Sequence, residues 1–155
     1  MKTEPMSPAV QGFEALFAAH EIPLRRALVA AYGHEDGREA AAEAWVWAWE
    51  HYDRLRELEN PAGYLYRVGQ SKARKWLRRP VRLPDVETAS MPSVEPKLPG
   101  ALRRLSMKQR QVVVLRHAYD TPRREVAELL GISPATVDTH LARGLAKLRA
   151  ELRES

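Results

Sequence analysis

Residues 124–145 read REVAELLGISPATVDTHLARGL. Val126, Leu129 and Leu130 recur at helical spacing and stop at Gly131. A second apolar series, Val137 and Leu141, resumes after Ser133-Pro134. Glycine permits the positive backbone dihedral that a sharp helix-to-helix turn needs, and Ser-Pro pre-organises a helix start. The stretch therefore predicts a helix-turn-helix with those five apolar residues inward. The outward positions of its second helix are Ala135, Thr136, Asp138, Thr139, His140 and Arg143. In such a motif they meet base edges and phosphates in a major groove. Arg123 and Arg124 open the first helix, where they can meet phosphate together with free backbone N–H groups. A purely structural helical hairpin is the competing reading, but it does not require cap, glycine and apolar spacing to coincide.

Upstream of the motif, Ser106 and Gln109 form a capping-box pattern for a helix through about His117, and Thr121-Pro122 starts the next. Downstream, Leu145 and Leu148 continue the face of Val137 and Leu141. Five of the chain's 11 prolines (Pro80, Pro84, Pro92, Pro96 and Pro99) fall in PVRLPDVETASMPSVEPKLP, which has neither helical nor strand period. It reads as a linker biased to extended conformations. Before it, Phe13, Leu16, Phe17 and His20 follow helical spacing, a second short helix is expected from Pro23 to Tyr32, and Gly33 ends it. Asp36 and Glu39 resemble a capping box opening a helix that carries AAAEAWVWAWEHYDRL. Asn60-Pro61 starts another, running to about Arg79. No stretch alternates cleanly as a strand. The expected fold is all-α: two small helical domains over 12–79 and 100–153, joined by a flexible linker over 80–99.

Charge is segregated between successive helices. Residues 34–59 hold eight acidic residues (Glu35, Asp36, Glu39, Glu43, Glu50, Asp53, Glu57 and Glu59) against three basic ones. Residues 67–82 hold seven basic residues (Arg67, Lys72, Arg74, Lys75, Arg78, Arg79 and Arg82) and no acidic one. The basic run is interleaved with Tyr64, Tyr66 and Trp76. Cations for phosphates and rings for bases on one element suit single-stranded nucleic acid, whereas a solvated face with Trp76 in the core is the plainer alternative. Trp45 and Trp49 share a helix face, but Trp47 is rotated about 200° from Trp45. All three cannot enter one core. Trp47 is either partly exposed beside Glu39, Glu43 and Glu50, as suits a protein interface, or buried under the N-terminal helices.

Composition removes other classes. In 155 residues there is no cysteine, which excludes disulfides and thiolate chemistry. No apolar run approaches the ~18 residues of a membrane span, and Met1 to Val10 lacks the apolar core of a secretory signal, so a soluble cytoplasmic protein is expected. The net charge of +5 points weakly to polyanions. There is no Gly-rich phosphate loop, H-E-x-x-H or G-x-S-x-G, and the five histidines are scattered, so no enzyme, metal or cofactor is expected. His51 beside Glu50 and Asp53 reads as a solvated cluster.

The order of these parts resembles a bacterial RNA polymerase sigma factor of the extracytoplasmic-function (ECF) type. The resemblance is carried by EAWVWAWEHYDRL (43–55), ENPAGYLYRVGQSKARKWLRR (59–79), LSMKQRQVVVLRHAY (105–119) and VAELLGISPATVDTHLARGLAKLR (126–149). It implies that 12–79 is sigma region 2, binding core polymerase and the promoter minus-ten element, and that 100–153 is sigma region 4, binding the minus-thirty-five element. It implies minus-ten contacts from Tyr64, Arg67, Gln70, Ser71, Arg74, Lys75 and Arg78. A base extruded from the duplex would be pocketed by the loop at about 54–60. The minus-thirty-five contacts implied are Arg123, Arg124, Ser133, Thr136, Asp138, Thr139, His140 and Arg143, and the core-polymerase contacts are Glu39, Glu43 and Trp47. The implied partners are core RNA polymerase and promoter DNA, both duplex and melted, with an anti-sigma protein as a further candidate.

The sequence departs from the family pattern in places. Ala41 and Ala42 stand where a larger apolar residue and Gln are usual, Trp47 where a polar or basic residue is, and Ser71 where Asn is. Asp138 and His140 stand where Lys and Arg are frequent. A carboxylate facing phosphate weakens binding, so minus-thirty-five affinity is expected to be low or unusually selective. The alternative function is a stand-alone helix-turn-helix regulator that acts without polymerase.

Overall fold

Ser7 opens the first helix by accepting a bond from the Val10 amide, and Pro8 takes the first helical position, where its missing N–H costs nothing. The computed structural model describes residues 7–76 and 96–153, all of whose regular structure is helical. Helix α1 runs Pro8–Tyr32 without a break, so the separate helix expected from Pro23 is not formed. Pro23 removes the bond to the Ala19 carbonyl, but Ala19 is on the exposed side. Packing on both flanks, from Leu16 before it to Leu24 and Leu28 after it, holds the helix continuous.

Helix α2 spans His34–Glu50 and follows Gly33, whose φ is 93°. The Asp36–Glu39 capping box is likewise not formed. Glu35 and Asp36 lie in the first turn instead, where the positive end of the helix favours carboxylates. His51 interrupts the expected long helix, leaving a single turn, α3 (Tyr52–Leu55). Helix α4 spans Pro61–Trp76; the reading of this helix to Arg79 extends outside the described residues. Asn60 caps it as expected, accepting from the Gly63 amide at 3.0 Å.

The second half begins earlier than the prolines suggest. Leu98 and Pro99, read as linker, form the first turn of α5 (Leu98–Arg104), because proline is compatible with a first turn. Most of the remaining linker lies outside the described residues. Helix α6 (Met107–Val113) carries both bonds of the Ser106–Gln109 capping box and widens into a π-helical turn over Val114–Ala118. Helix α7 (Arg123–Leu130) ends at Gly131, which is left-handed at φ 67°. Ser133 then caps α8 (Pro134–Arg153) by accepting from the Thr136 amide at 3.1 Å.

The two halves share one hydrophobic core. Leu24, Ala27 and Leu28 of α1 and Leu65 and Tyr66 of α4 form a continuous cluster with Val112, Leu115, Val126 and Leu129. A smaller cluster of Ala101, Leu105, Val113 and Leu148 closes the second half. Polar groups cross the seam. Gln111, fully buried, donates from Nε2 to the Ala27 carbonyl (3.0 Å) and to the Tyr66 hydroxyl (2.6 Å). Arg110 donates to the carbonyls of Ala30 (2.5 Å) and Ala31 (3.0 Å), which lie in the last turn of α1, where a cation opposes the negative helix end. Asn60 donates from Nδ2 to the Glu128 carbonyl of α7 at 2.7 Å. A Cβ at position 63 would stand 2.8 Å from that same carbonyl, so Gly63 permits α4 and α7 to approach.

Candidate nucleic-acid interface

Helix α4 is sharply two-sided. Leu65, Tyr66, Gly69 and Ala73 are buried against the core. Tyr64, Arg67, Ser71 and Arg74, spaced three and four apart, are exposed along the opposite stripe, with Lys75 beside them. Among the described residues no carboxylate pairs with Arg67, Arg74 or Lys75. The stripe therefore presents free cations and one exposed ring. Gln70 is not part of it: its amide donates to the Tyr66 hydroxyl at 3.1 Å. Burial pushes the Tyr66 phenol up to about 12, so it stays protonated and serves as a structural hub between Gln70 and Gln111. Arg78 lies outside the described residues.

On α2, Glu39, Glu43 and Trp47 succeed one another four residues apart and so share a face. Glu39 is exposed and Glu43 half-exposed. Trp47 is half-buried, but not under the N-terminal helix. Its ring lies parallel to His51 (centroids 4.4 Å, 14°) and against Tyr64 (5.3 Å, 36°). Trp45 and Trp49 instead turn toward α1. Trp45 packs edge-on to Phe13 and Phe17, and Trp49 meets Phe13 while remaining 55% exposed. His51, at the C-terminal cap of α2 and four residues after Trp47, is its neighbour through both the ring contact and the bond to the Trp47 carbonyl. The segment 54–60 buries Leu55 and exposes Leu58 beside α4.

In the helix-turn-helix, Val126, Leu129, Leu130 and Val137 are buried as expected. Ala135, Asp138, Thr139 and Arg143 are exposed and share one face of α8, with Thr136 and His140 half-buried at its margins. The polar groups there are largely engaged with each other. Arg123 pairs with Asp138 at 3.0 Å and donates to the Pro134 carbonyl; Arg124 pairs with Glu128 at 3.6 Å. Ser133 and Thr136 hydroxyls share a bond of 2.8 Å, and the Thr139 hydroxyl donates to the Ala135 carbonyl. The Asp138 carboxylate is thus neutralised by Arg123. Neither partner had been linked to the other from the sequence.

Comparison with known proteins agrees with this layout. Residues 97–148 match the family model for sigma-70, region 4, from the start of α5 into α8. The RNA polymerase sigma-E factor of Streptomyces avermitilis is 34% identical over 128 residues, covering 76% of this chain and 71% of that protein. The chain belongs to the ECF family of RNA polymerase sigma factors. The sigma-E factor of Streptomyces coelicolor is 30% identical over the same share of this ECF sigma factor and 72% of its own length. Among solved structures, CnrH in complex with the cytosolic domain of CnrY superposes with a TM-score of 0.62 at 26% identity, covering 94% of this chain and 91% of that one. Sigma factor RpoE of Bartonella quintana, solved with the anti-sigma factor NepR, shares the fold at a TM-score of 0.60 and 17% identity, covering 94% and 99%. Among the described residues, no helix of this sigma factor is long and apolar enough to cross a membrane, and no group of His, Asp or Glu could hold a metal ion.

Proposed function

We propose that this sigma factor holds the melted non-template strand along the exposed stripe of α4 and reads duplex DNA with the start of α8. Tyr64, Arg67, Ser71 and Arg74 would take the strand, with Lys75 and Arg78 adding charge. Arg123, Thr136, Asp138, Thr139, His140 and Arg143 would face the minus-thirty-five duplex, with Arg124 and Ser133 at its edge. Glu39 and Glu43 would meet core polymerase. The observation that carries the strand reading is the row of cations, without a carboxylate partner among the described residues, and an exposed ring on one side of a helix whose other side is core.

The mechanism needs no bond chemistry. Contacts made with an unpaired strand and not with a duplex shift the opening equilibrium toward the melted state. The work is done in the cytoplasm, where polymerase and DNA meet. The halves as packed share a core, so gripping both elements at once would require them to part. An anti-sigma protein would act by covering these faces; RpoE, which shares this fold, was solved with the anti-sigma factor NepR.

The test is capture of core polymerase by the purified protein, followed by run-off transcription. The expected result is promoter-specific transcript from the pair, and only weak, salt-sensitive duplex binding by the protein alone. Tight operator binding without polymerase, and no transcript with it, would overturn the reading in favour of a stand-alone regulator.

A further inference from the structure

His51, Trp47 and Tyr64 meet at the junction of α2, α3 and α4, where Trp47 packs against the edge of the core and leaves part of its ring outside it. Trp47 is only half-buried, and Tyr64 remains 38% exposed. What an indole adds is a broad flat face; His51 lies parallel to it and the Tyr64 ring tilts against it. The brace behind it is fixed by a hydrogen bond. His51 donates from Nδ1 to the Trp47 carbonyl at 2.9 Å, since a carbonyl only accepts, and this sets the imidazole parallel to the indole. The outer ring, Tyr64, begins the row that continues through Arg67, Ser71 and Arg74. A ring at the head of a line of cations complements a polyanion with flat bases.

We propose that Trp47, braced by His51, is a positioning residue for the melted strand: it holds the Tyr64 ring at the angle on which one unpaired base stacks, while Arg67 takes the adjoining phosphate. This rests on the strand reading above. It moves Trp47 from the polymerase contact, where its spacing from Glu39 and Glu43 had put it, to the promoter strand.

The experiment uses the full chain with core polymerase and a promoter that the wild-type protein transcribes. The non-template strand carries 2-aminopurine at each position of the melted segment in turn, and stacking on a ring quenches its fluorescence. One position is expected to be quenched by the wild type. Tyr64→Ala and Trp47→Ala both lose that quench and bind the isolated strand on the order of tenfold more weakly. Trp47→Phe retains it and Trp47→Leu does not. Affinity for core polymerase is unchanged by Trp47→Ala and lowered by Glu43→Ala. A Trp47→Ala protein that keeps the quench overturns the inference, and one that keeps it while losing core affinity returns Trp47 to the polymerase contact. Where Trp47→Ala loses both, rescue by Phe alone supports the proposal, and rescue by both Phe and Leu, or by neither, overturns it. Absence of any transcript with the wild type overturns the sigma-strand reading itself and this inference with it.

Discussion

The outward stripe of α4 and the outward start of α8 are both candidate DNA surfaces, yet their electrostatics are opposite in kind. Arg67, Arg74 and Lys75 have no carboxylate partner among the described residues, whereas Arg123 and Arg124 are each paired with a carboxylate of their own module. The hydroxyls of Ser133, Thr136 and Thr139 bond within the helix-turn-helix, while Ser71 is exposed on α4. A free cation offers its full charge to a phosphate. A paired one must first give up its partner, which costs up to about 1 kcal/mol for an exposed pair. On the proposed reading, the α4 surface would hold a strand mainly through charge. On the same reading, the α8 surface would bind weakly until a particular groove compensates for the pairs it breaks. Selectivity at α8 and holding power at α4 would follow from this difference.

The largest expected effect comes from stripping the free charges. Arg67→Ala combined with Arg74→Ala removes two charge-assisted contacts, each worth about 1.5–3 kcal/mol, so open complexes should fall at least a hundredfold on every promoter. Permanganate reactivity of the melted segment, measured at saturating core polymerase, checks this. If melting persisted unchanged, the stripe would not be the strand site and the contrast between the two surfaces would lose its meaning.

A smaller effect is expected on the buried side of the same helix. Tyr66 keeps its proton up to about pH 12 in the folded protein because burial disfavours the phenolate. The unfolded phenol titrates near 10. The folded state therefore binds this proton more tightly. Its contribution to stability is complete below pH 10 and is lost as the pH rises from 10 to about 12. Tyr66→Phe should abolish that component of the alkaline loss and lower stability near neutrality by about 1 kcal/mol, since Gln111 keeps only the Ala27 carbonyl. Urea melts of both proteins between pH 8 and 12 give the difference. Parallel curves would show that the hydroxyl is not the hub between the halves.

The helix-turn-helix was legible because its signals are local. Gly131, Ser133 and the spacing of Val126 to Leu141 act within a few residues, and each performs the expected job. The Ser106–Gln109 box was legible for the same reason. The break expected at Pro23 failed because proline's local cost was overridden by packing on both sides of it. The Asp36 cap failed because Gly33, three residues earlier, already supplies the turn. The shared core could not be read at all. Gln111 looks like any polar residue of an amphipathic helix, and only contact with Ala27 and Tyr66, 84 and 45 positions away, makes it a buried donor. The stripe of α4 was readable as charge and spacing, but the removal of Gln70 from it depends on Tyr66 being buried. The Arg123–Asp138 pair joins two helices across the turn, and the sequence carries no sign of it.

That pair gives the smallest effect and the most direct test of the contrast. Asp138→Asn keeps the size of the side chain and removes its charge, so Arg123 is released while the fold of the motif is retained. The freed guanidinium resembles those of α4 and gains a phosphate contact. Affinity for minus-thirty-five duplex should rise several-fold, in line with an exposed pair worth up to about 1 kcal/mol. The logarithmic dependence of affinity on salt should steepen by about one, as one further phosphate is neutralised. Discrimination between promoters should narrow, because the added attraction is indifferent to sequence. Competition binding at a series of salt concentrations measures all three. If affinity fell and discrimination rose instead, Asp138 would be accepting a hydrogen bond from a base, for which a cytosine amino group is suited. Its carboxylate would then be an element of readout that Arg123 merely holds in place.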